Sequence, residues 1–249
     1  MTELIELRRD QQTCIVTLRR EQKLNAISGE VERELCSALD APEVRDAACV
    51  VFTGGARVFS AGADLNEMSG LDPAGIVSYY QGTGDFAERV ADLPQPTFSA
   101  ISGYCLGGGL ELALATDFRV AEQAAIFGLP EVGLGILPSS GGTHRLVRML
   151  GTARAKELIL LRDRVSAEEA HRIGLITELV GEGEALERAL AHARRIAELP
   201  QLAVRVAKRV TDSMAESSRA AGLELERLAY GLLAQTADAD EAVTRRLSR

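Results

Sequence analysis

The stretch "GYCLGGGLELALATDFRV", residues 103–120, changes character in its middle: an apolar lead-in meets three glycines and then a run that a helix would welcome. The lead-in continues "PTFSAISGYC" (96–105), which reads as a strand. Leu110 to Ala115 has the Leu and Ala content of a helix. A strand that leaves through glycines into a helix is the unit of an α/β layer. Set into that helix, one turn from its start, is a single carboxylate, Glu111.

The same order recurs upstream. "TCIVTLRR" (13–20) and "ACVVFTG" (48–54) read as strands, and between them "SGEVERELCSALDAP" (28–42) places Val31, Leu35, Ala38 and Leu39 at helical spacing. After residue 145 the strand signal fades, and the remainder carries helical periodicity rich in Ala, Leu, Arg and Glu, punctuated by Gly151 and Gly174 as caps or turns. The apolar faces of that helical third either complete the core or form a subunit interface.

At 249 residues the chain is of a size to bury a core of its own. With 28 Lys and Arg against 36 Asp and Glu, net charge −8, it lacks the basic balance that phosphate-backbone binding needs, so no nucleic-acid partner is expected. Cys14, Cys36, Cys49 and Cys105 show no CxxC spacing, which supports neither a zinc knuckle nor a redox pair, and no metal is expected. The start, "MTELIELRRD", has no apolar signal-like stretch, and no window reaches the roughly 18 apolar residues of a membrane span. A soluble cytoplasmic protein without a membrane partner is the expectation.

Two stretches concentrate glycine where a backbone must come close to something: "VFSAGADL" (58–65) and "GYCLGGGLELA" (103–113), each expected at a strand end. Gly107, Gly108 and Gly109 serve either tight helix–sheet packing or the exposure of unpaired N–H groups at a helix start, where a developing negative oxygen can be held. Neither GxGxxG at this strand end nor GxSxG is present, which sets aside a dinucleotide fold and a serine-hydrolase elbow. A second glutamate, Glu131, stands in the Pro- and Gly-rich "FGLPEVGLGILP" (127–138), read as a loop. Either glutamate alone reads as solvated; together, in apolar surroundings beside two sources of backbone amides, they can divide acid and base duties.

Taken together, "KLNA" (23–26), "VFSAGADL", "GYCLGGGLELALATD", "FGLPEVGLGILPSSGGTHRLVR" and "VSAEEAHRIGLI" (165–176) make the chain resemble the enoyl-CoA hydratase/isomerase, or crotonase, superfamily from about Leu18 to about Glu241. "GLELALATDFRVAEQAA", "RAKELILL" and "AVRVAKRV" look most like the methylglutaconyl-CoA hydratase branch. The RNA binding known in that branch uses a lysine-rich early helix, whereas residues 28–46 here hold no lysine, so it is not carried over.

The resemblance implies an α/β fold, a spiral of ββα units, with residues 1–190 as catalytic core and 191–249 as a C-terminal helical region used for a homotrimer or a dimer of trimers. It implies hydration of a 2-enoyl-CoA in fatty-acid or related lipid metabolism, with no cofactor beyond the coenzyme A of the acyl-CoA thioester substrate. By position, the oxyanion amides fall on Ala63 and Gly108, and the paired acids on Glu111 and Glu131. CoA and substrate contacts fall on Leu24, Ala26, Ala61, Asp64, Leu65 and Ser139, Asp64 also reading as a turn or helix cap.

Three departures from the family pattern stand out. "PSSGG" puts Ser139 and Ser140 where small residues line the catalytic water, either as extra hydrogen-bonding groups or as a tight-turn variant. Asn66 replaces a frequent Lys near the CoA phosphates, and the tail lacks the usual aromatic and Pro-containing basic segment, leaving Arg245, Arg246 and Arg249 as the available charge. The competing readings are an enoyl-CoA isomerase, a non-catalytic acyl-CoA-binding protein, and a serine peptidase drawing on Ser139, Ser140 and His144. The wall of the acyl pocket is expected from residues 68–90.

Overall fold

The computed structural model describes residues 4–72, 74–77 and 85–247. The part of the expected acyl wall at 73 and 78–84, and Arg249, lie outside the described residues.

Chain order begins with a hairpin. Strands β1 (Ile5–Asp10) and β2 (Thr13–Leu18) pair antiparallel through a two-residue turn at Gln11 and Gln12, Gln11 taking a positive φ of 54°. From β2 onward the sheet is parallel: β3 (Cys49–Thr53), β4 (Thr97–Ile101), β6 (Phe118–Glu122) and β9 (Glu178–Val180) follow in that spatial order. Every residue of β3 and β4 is buried, as expected of parallel strands covered on both faces.

A second, three-stranded sheet stands against the first: β5 (Tyr104–Leu106), β7 (Ile126–Gly128) and β8 (Val165–Ser166). The spiral is visible in how strands alternate between sheets. β4 turns at Ser102–Gly103 into β5, and β6 turns into β7. The corner at Gly103 requires glycine, since φ is +59° and a methyl group there would sit 2.2 Å from the Arg57 carbonyl oxygen.

Helix α1 (Gly29–Leu39) begins where Ser28 Oγ accepts from the Val31 N–H, and buries Val31, Leu35, Ala38 and Leu39, the four residues expected from spacing. Short helices α2 (Pro42–Arg45), α3 (Leu65–Met68) and α4 (Asp85–Ala91) follow, then α5 (Gly108–Ala115), α6 (Gly142–Leu150), α7 (Thr152–Leu160) and α8 (Ala167–Arg172). The large core lies between the sheets and α1, α4 and α5; a smaller one, with Ile15, Val51, Phe98 and Val120, lies under α9 (Ala185–Ala197) on the other face. The expected division at residue 190 falls inside α9.

Beyond α9 the chain is helical: α10 (Gln201–Met214), α11 (Arg219–Leu233) and α12 (Ala237–Leu247). α10 and α12 bury no residue and α11 buries only Gly222. α10 is tied back by Lys208, whose Nζ donates to Asp117 Oδ2 at 2.8 Å. Apolar side chains lie open along this region, Leu228, Tyr230 and Leu247 among them.

Five details differ from the sequence expectations, the first being that the single strand expected over 96–105 is two, β4 and β5, in different sheets. β1, β6, β7, β8 and β9 carry no strong strand signal, being short or charged, and exist through pairing with distant segments. β8 and β9 interrupt the region expected to be helical after residue 145. Gly62 is not at the end of a strand: residues 58–64 form a loop with isolated bridges, Ser60 to Cys105 and Ala63 to Ile27. Glu131 sits in a 3-10 helix, Pro130–Leu134, rather than in a loop.

All four cysteines are free, and Cys14, Cys49 and Cys105 are buried. Burial pushes the Cys14 thiol up to about 11 and Cys49 to about 12, and raises those of Cys36 and Cys105. Among the described residues no helix is long and apolar enough to cross a membrane, and no group of three or more His, Cys, Asp or Glu could hold a metal ion.

Candidate active site

A cavity of about 130 Å³ opens between the two sheets' helices, and both expected glutamates line it. So do Ala61, Gly62, Ala63, Leu65, Gly107, Gly108 and Ser139.

Glu111 is delivered by α5, a helix of eight residues of which only Gly108 escapes burial. Such a short helix draws its stability from packing rather than propensity, and its far end is fastened by an unusual group. Arg119, fully buried, donates from Nε to the Leu175 carbonyl at 2.8 Å and from Nη1 to the carbonyls of Thr116 at 2.6 Å and Ala113 at 3.2 Å. A cation over the last carbonyls of a helix suits both their unmet acceptors and the dipole. The desolvated guanidinium is pulled down to about 10.

At the other end, Gly107 takes φ +50° and ψ −127°, and its N–H reaches the Gly128 carbonyl of β7 at 2.9 Å. The next N–H, that of Gly108, donates no hydrogen bond among the described residues, and neither does that of Ala63. These two amides are neighbours: a methyl group on Gly108 would stand 3.7 Å from the Ala63 nitrogen. Two unpaired amides at a cavity wall, one of them opening a helix, are able to hold an oxygen carrying negative charge. Of the three glycines, Gly107 and Gly109 have steric reasons. A methyl group at Gly107 would fall 2.9 Å from Glu131 Oε1, and one at Gly109 would fall 2.6 Å from the Ser60 carbonyl.

The carboxylates differ in their surroundings. Glu111 Oε1 accepts two backbone N–H bonds, from Ser140 at 2.7 Å and Gly142 at 2.9 Å. Burial raises its pKa, while those amides, the Arg145 charge and the Ser139 amide oppose the rise. Glu131 Oε2 is buried with no hydrogen-bond partner among the described residues. Burial, reinforced by the nearby Glu111 charge, pushes Glu131 up to about 7 against only its own backbone N–H. Burial thus raises both carboxyls, but Glu111 has amides and a cation that oppose the rise, whereas Glu131 has only its own backbone N–H and lies near 7, a difference of environment that can divide base and acid duties.

Of the expected CoA and substrate contacts, Ala61, Leu65 and Ser139 line this cavity, and Leu24, Ala26 and Asp64 do not. Leu24 and Asn25 adopt positive φ of 52° and 51°, the Ala61 N–H donates to the Leu24 carbonyl, and Leu65 is half exposed on the lining. Asp64 caps α3: its Oδ1 accepts from the Asn66 N–H at 3.1 Å and the Asn66 side chain at 2.9 Å, and Oδ2 pairs with Arg20 at 2.8 Å. These hydrogen bonds hold its carboxyl below the usual range. His144 lies 3.7 Å from Glu216, with no bond to Ser139 or Ser140, as a peptidase would require.

Sequence reasoning passed over Asn25, which knots the loop beneath the amides. Its Nδ2 donates to the carbonyls of Gly54 and Val58, its Oδ1 accepts the Arg20 N–H, and its carbonyl accepts Ser60 Oγ. The signal was present, since Asn tolerates positive φ, but its partners are about thirty residues away. Phe86, Ile27, Ile136 and Leu137, the apolar lining, were also not singled out.

The sequence pattern of the enoyl-CoA hydratase/isomerase family matches residues 8–247. A probable enoyl-CoA hydratase of Mycobacterium bovis is 38% identical over 245 residues, covering 97% of this chain and 93% of that protein. The 2,3-dehydroadipyl-CoA hydratase of Escherichia coli is 37% identical over 98% of this chain and 95% of its own length. Among solved structures, an enoyl-CoA hydratase from Bacillus anthracis superimposes with a TM-score of 0.92 at 35% identity, covering 98% of this chain and 96% of that one. With this fold and this extent of likeness, the chain belongs to the enoyl-CoA hydratase/isomerase family of the crotonase superfamily.

Proposed function

We propose that the protein adds water across the 2,3 double bond of a 2-enoyl-CoA. The observation that carries this reading is the convergence, in one cavity, of two unpaired amides with two buried carboxyls, one held by the amides of Ser140 and Gly142 and the other with an oxygen that has no partner among the described residues.

The thioester oxygen sits between the N–H groups of Ala63 and Gly108, which hold it as it gains negative charge. Glu111, ionised, takes a proton from water as the water oxygen bonds to Cβ; Glu131, protonated, gives its proton to Cα. The π electrons of the double bond pass through the enolate to form the new C–H bond. The proton gained by Glu111 returns to Glu131 before the next turnover, so that only water is consumed. Dehydration runs the same transfers backward. Ala61 and Leu65 line the path of the CoA arm, the Leu24 to Ala26 turn flanks it where the Leu24 carbonyl accepts from Ala61, Asp64 and Arg20 brace it, and Ser139 borders the water. No cofactor beyond the CoA of the substrate enters this scheme.

The open apolar residues of α10 to α12, with Leu228 65% and Tyr230 75% exposed, support a homotrimer or a dimer of trimers.

Loss of the enoyl-thioester absorbance on mixing with crotonyl-CoA tests the reaction. Rapid loss in the unmodified chain, abolished by Glu111→Gln and by Glu131→Gln, is expected. Turnover that survives one of the two substitutions favours the isomerase reading, and CoA-ester binding without turnover, indifferent to both, favours a non-catalytic protein.

A further inference from the structure

Glu111 is aimed by two amides, and both belong to the turn from Ser139 to Gly142. What fixes that turn is not in the turn itself. Ser140 and Gly141 have no side chain that reaches back to lock it, and Gly141 lies at φ +87°, a conformation accessible but not enforced by glycine.

The lock comes from Arg145, in the first turn of α6. Its Nη1 donates to the Ser140 carbonyl at 2.8 Å, and its Nη2 pairs with Glu88 Oε1 of α4 at 2.7 Å. The guanidinium lies directly on the turn: a methyl group on Gly141 would fall 2.2 Å from Nη1 and 3.0 Å from Glu88 Oε1. The Arg145 side chain is 12% exposed and that of Glu88 67%. An ion pair with so exposed a partner adds little stability; its use lies in direction.

We propose that Arg145, oriented by Glu88, is a positioning residue that holds the Ser139–Gly142 turn so that its amides grip Glu111. The inference rests on the hydratase reading for its catalytic consequence and on geometry alone for its effect on Glu111. The charged groups facing Glu111 are Arg145 from α6 and Glu131 from the 3-10 helix. Removing the first leaves only the second, which opposes ionisation.

Two measurements test it together. In crotonyl-CoA hydration, Arg145→Ala lowers kcat about tenfold or more with KM within about threefold, Arg145→Lys restores part of it, and Glu88→Gln gives a smaller loss. The acidic limb of kcat moves to higher pH in Arg145→Ala. Independently of turnover, the pH dependence of urea unfolding is compared with and without Glu111→Gln, which isolates the titration of Glu111. In the Arg145→Ala background that difference shifts upward by half a pH unit or more, because a cation near a carboxylate favours its ionised form. An unmodified chain that fails to hydrate crotonyl-CoA counts against the hydratase reading, while the unfolding comparison still decides the role of Arg145. An unmoved Glu111 titration, or a loss of kcat equal in Arg145→Lys and Arg145→Ala, overturns the proposal.

Discussion

Replacing Glu131 by Gln should stabilise the folded protein at alkaline pH while destroying its proposed activity. The carboxyl rises from 4.5 to about 7 on folding, with burial as the leading cause and the Glu111 charge as a lesser one. At 1.36 kcal/mol per pKa unit, ionised Glu131 costs the folded chain about 3 kcal/mol relative to the unfolded one. The sign follows from which state holds the proton. Below the unfolded value of 4.5 both states are protonated and the penalty is absent. Between 4.5 and about 7 the unfolded chain ionises first, so stability falls with rising pH; above about 7 the penalty is complete. Glutamine has the same shape and no charge to desolvate. Urea unfolding at pH 5, 6, 7 and 8, at one protein concentration, therefore gives stabilities that differ by only about 1 kcal/mol at pH 5 and separate to about 3 kcal/mol at pH 8, with Glu131→Gln the more stable. In thermal unfolding the same difference appears as roughly 6 °C or more for a chain of this size. Equal pH slopes in the two proteins would refute the reasoning, because a solvated carboxyl has no such penalty.

Other consequences follow from the same contacts. Gly107→Ala places a methyl 2.9 Å from Glu131 Oε1 at a backbone conformation reserved for glycine, and should lose about 2–4 kcal/mol of unfolding free energy together with hydration of crotonyl-CoA. Arg119→Met strips the carbonyls of Ala113, Thr116 and Leu175 of a shared donor at the end of α5; a loss of about 3 kcal/mol or more is expected in urea unfolding. Asn25→Ala leaves the buried carbonyls of Gly54 and Val58 without their donor and should cost about 2–4 kcal/mol, with a rise in KM for CoA esters as the Leu24 to Ala26 turn loosens.

Why some of this could be read from the sequence and some not comes down to the range of the interactions. Glu111 and Gly108 are legible because a glycine cluster opening a helix is a local event, and four of the helical positions buried in α1 follow from spacing alone. β6 and β9 are a different matter. They pair Val120 with Glu178 and Ala121 with Leu179, and three residues such as Glu178–Val180 become a strand only because an edge awaits them. Arg145 reads as one more charge on a helix until α4 brings Glu88 to it. Glu131 was visible as a carboxylate in apolar company, yet its value near 7 depends first on its burial in the folded chain and then on the charge of Glu111, twenty residues away, which no local pattern records.

The protonated state of the cysteines makes the native chain its own background for thiol chemistry. With Cys14 near 11 and Cys49 near 12, and Cys105 buried and raised as well, only on the order of one thiol in ten thousand or fewer at such sites is a reactive thiolate at pH 7. Half-buried Cys36 is the one position to replace with serine. A cysteine then placed at exposed Tyr230 on α11 takes a maleimide dye alone, so that energy transfer between labelled copies, followed as the protein is diluted, tests whether the C-terminal helices of separate chains come together as proposed.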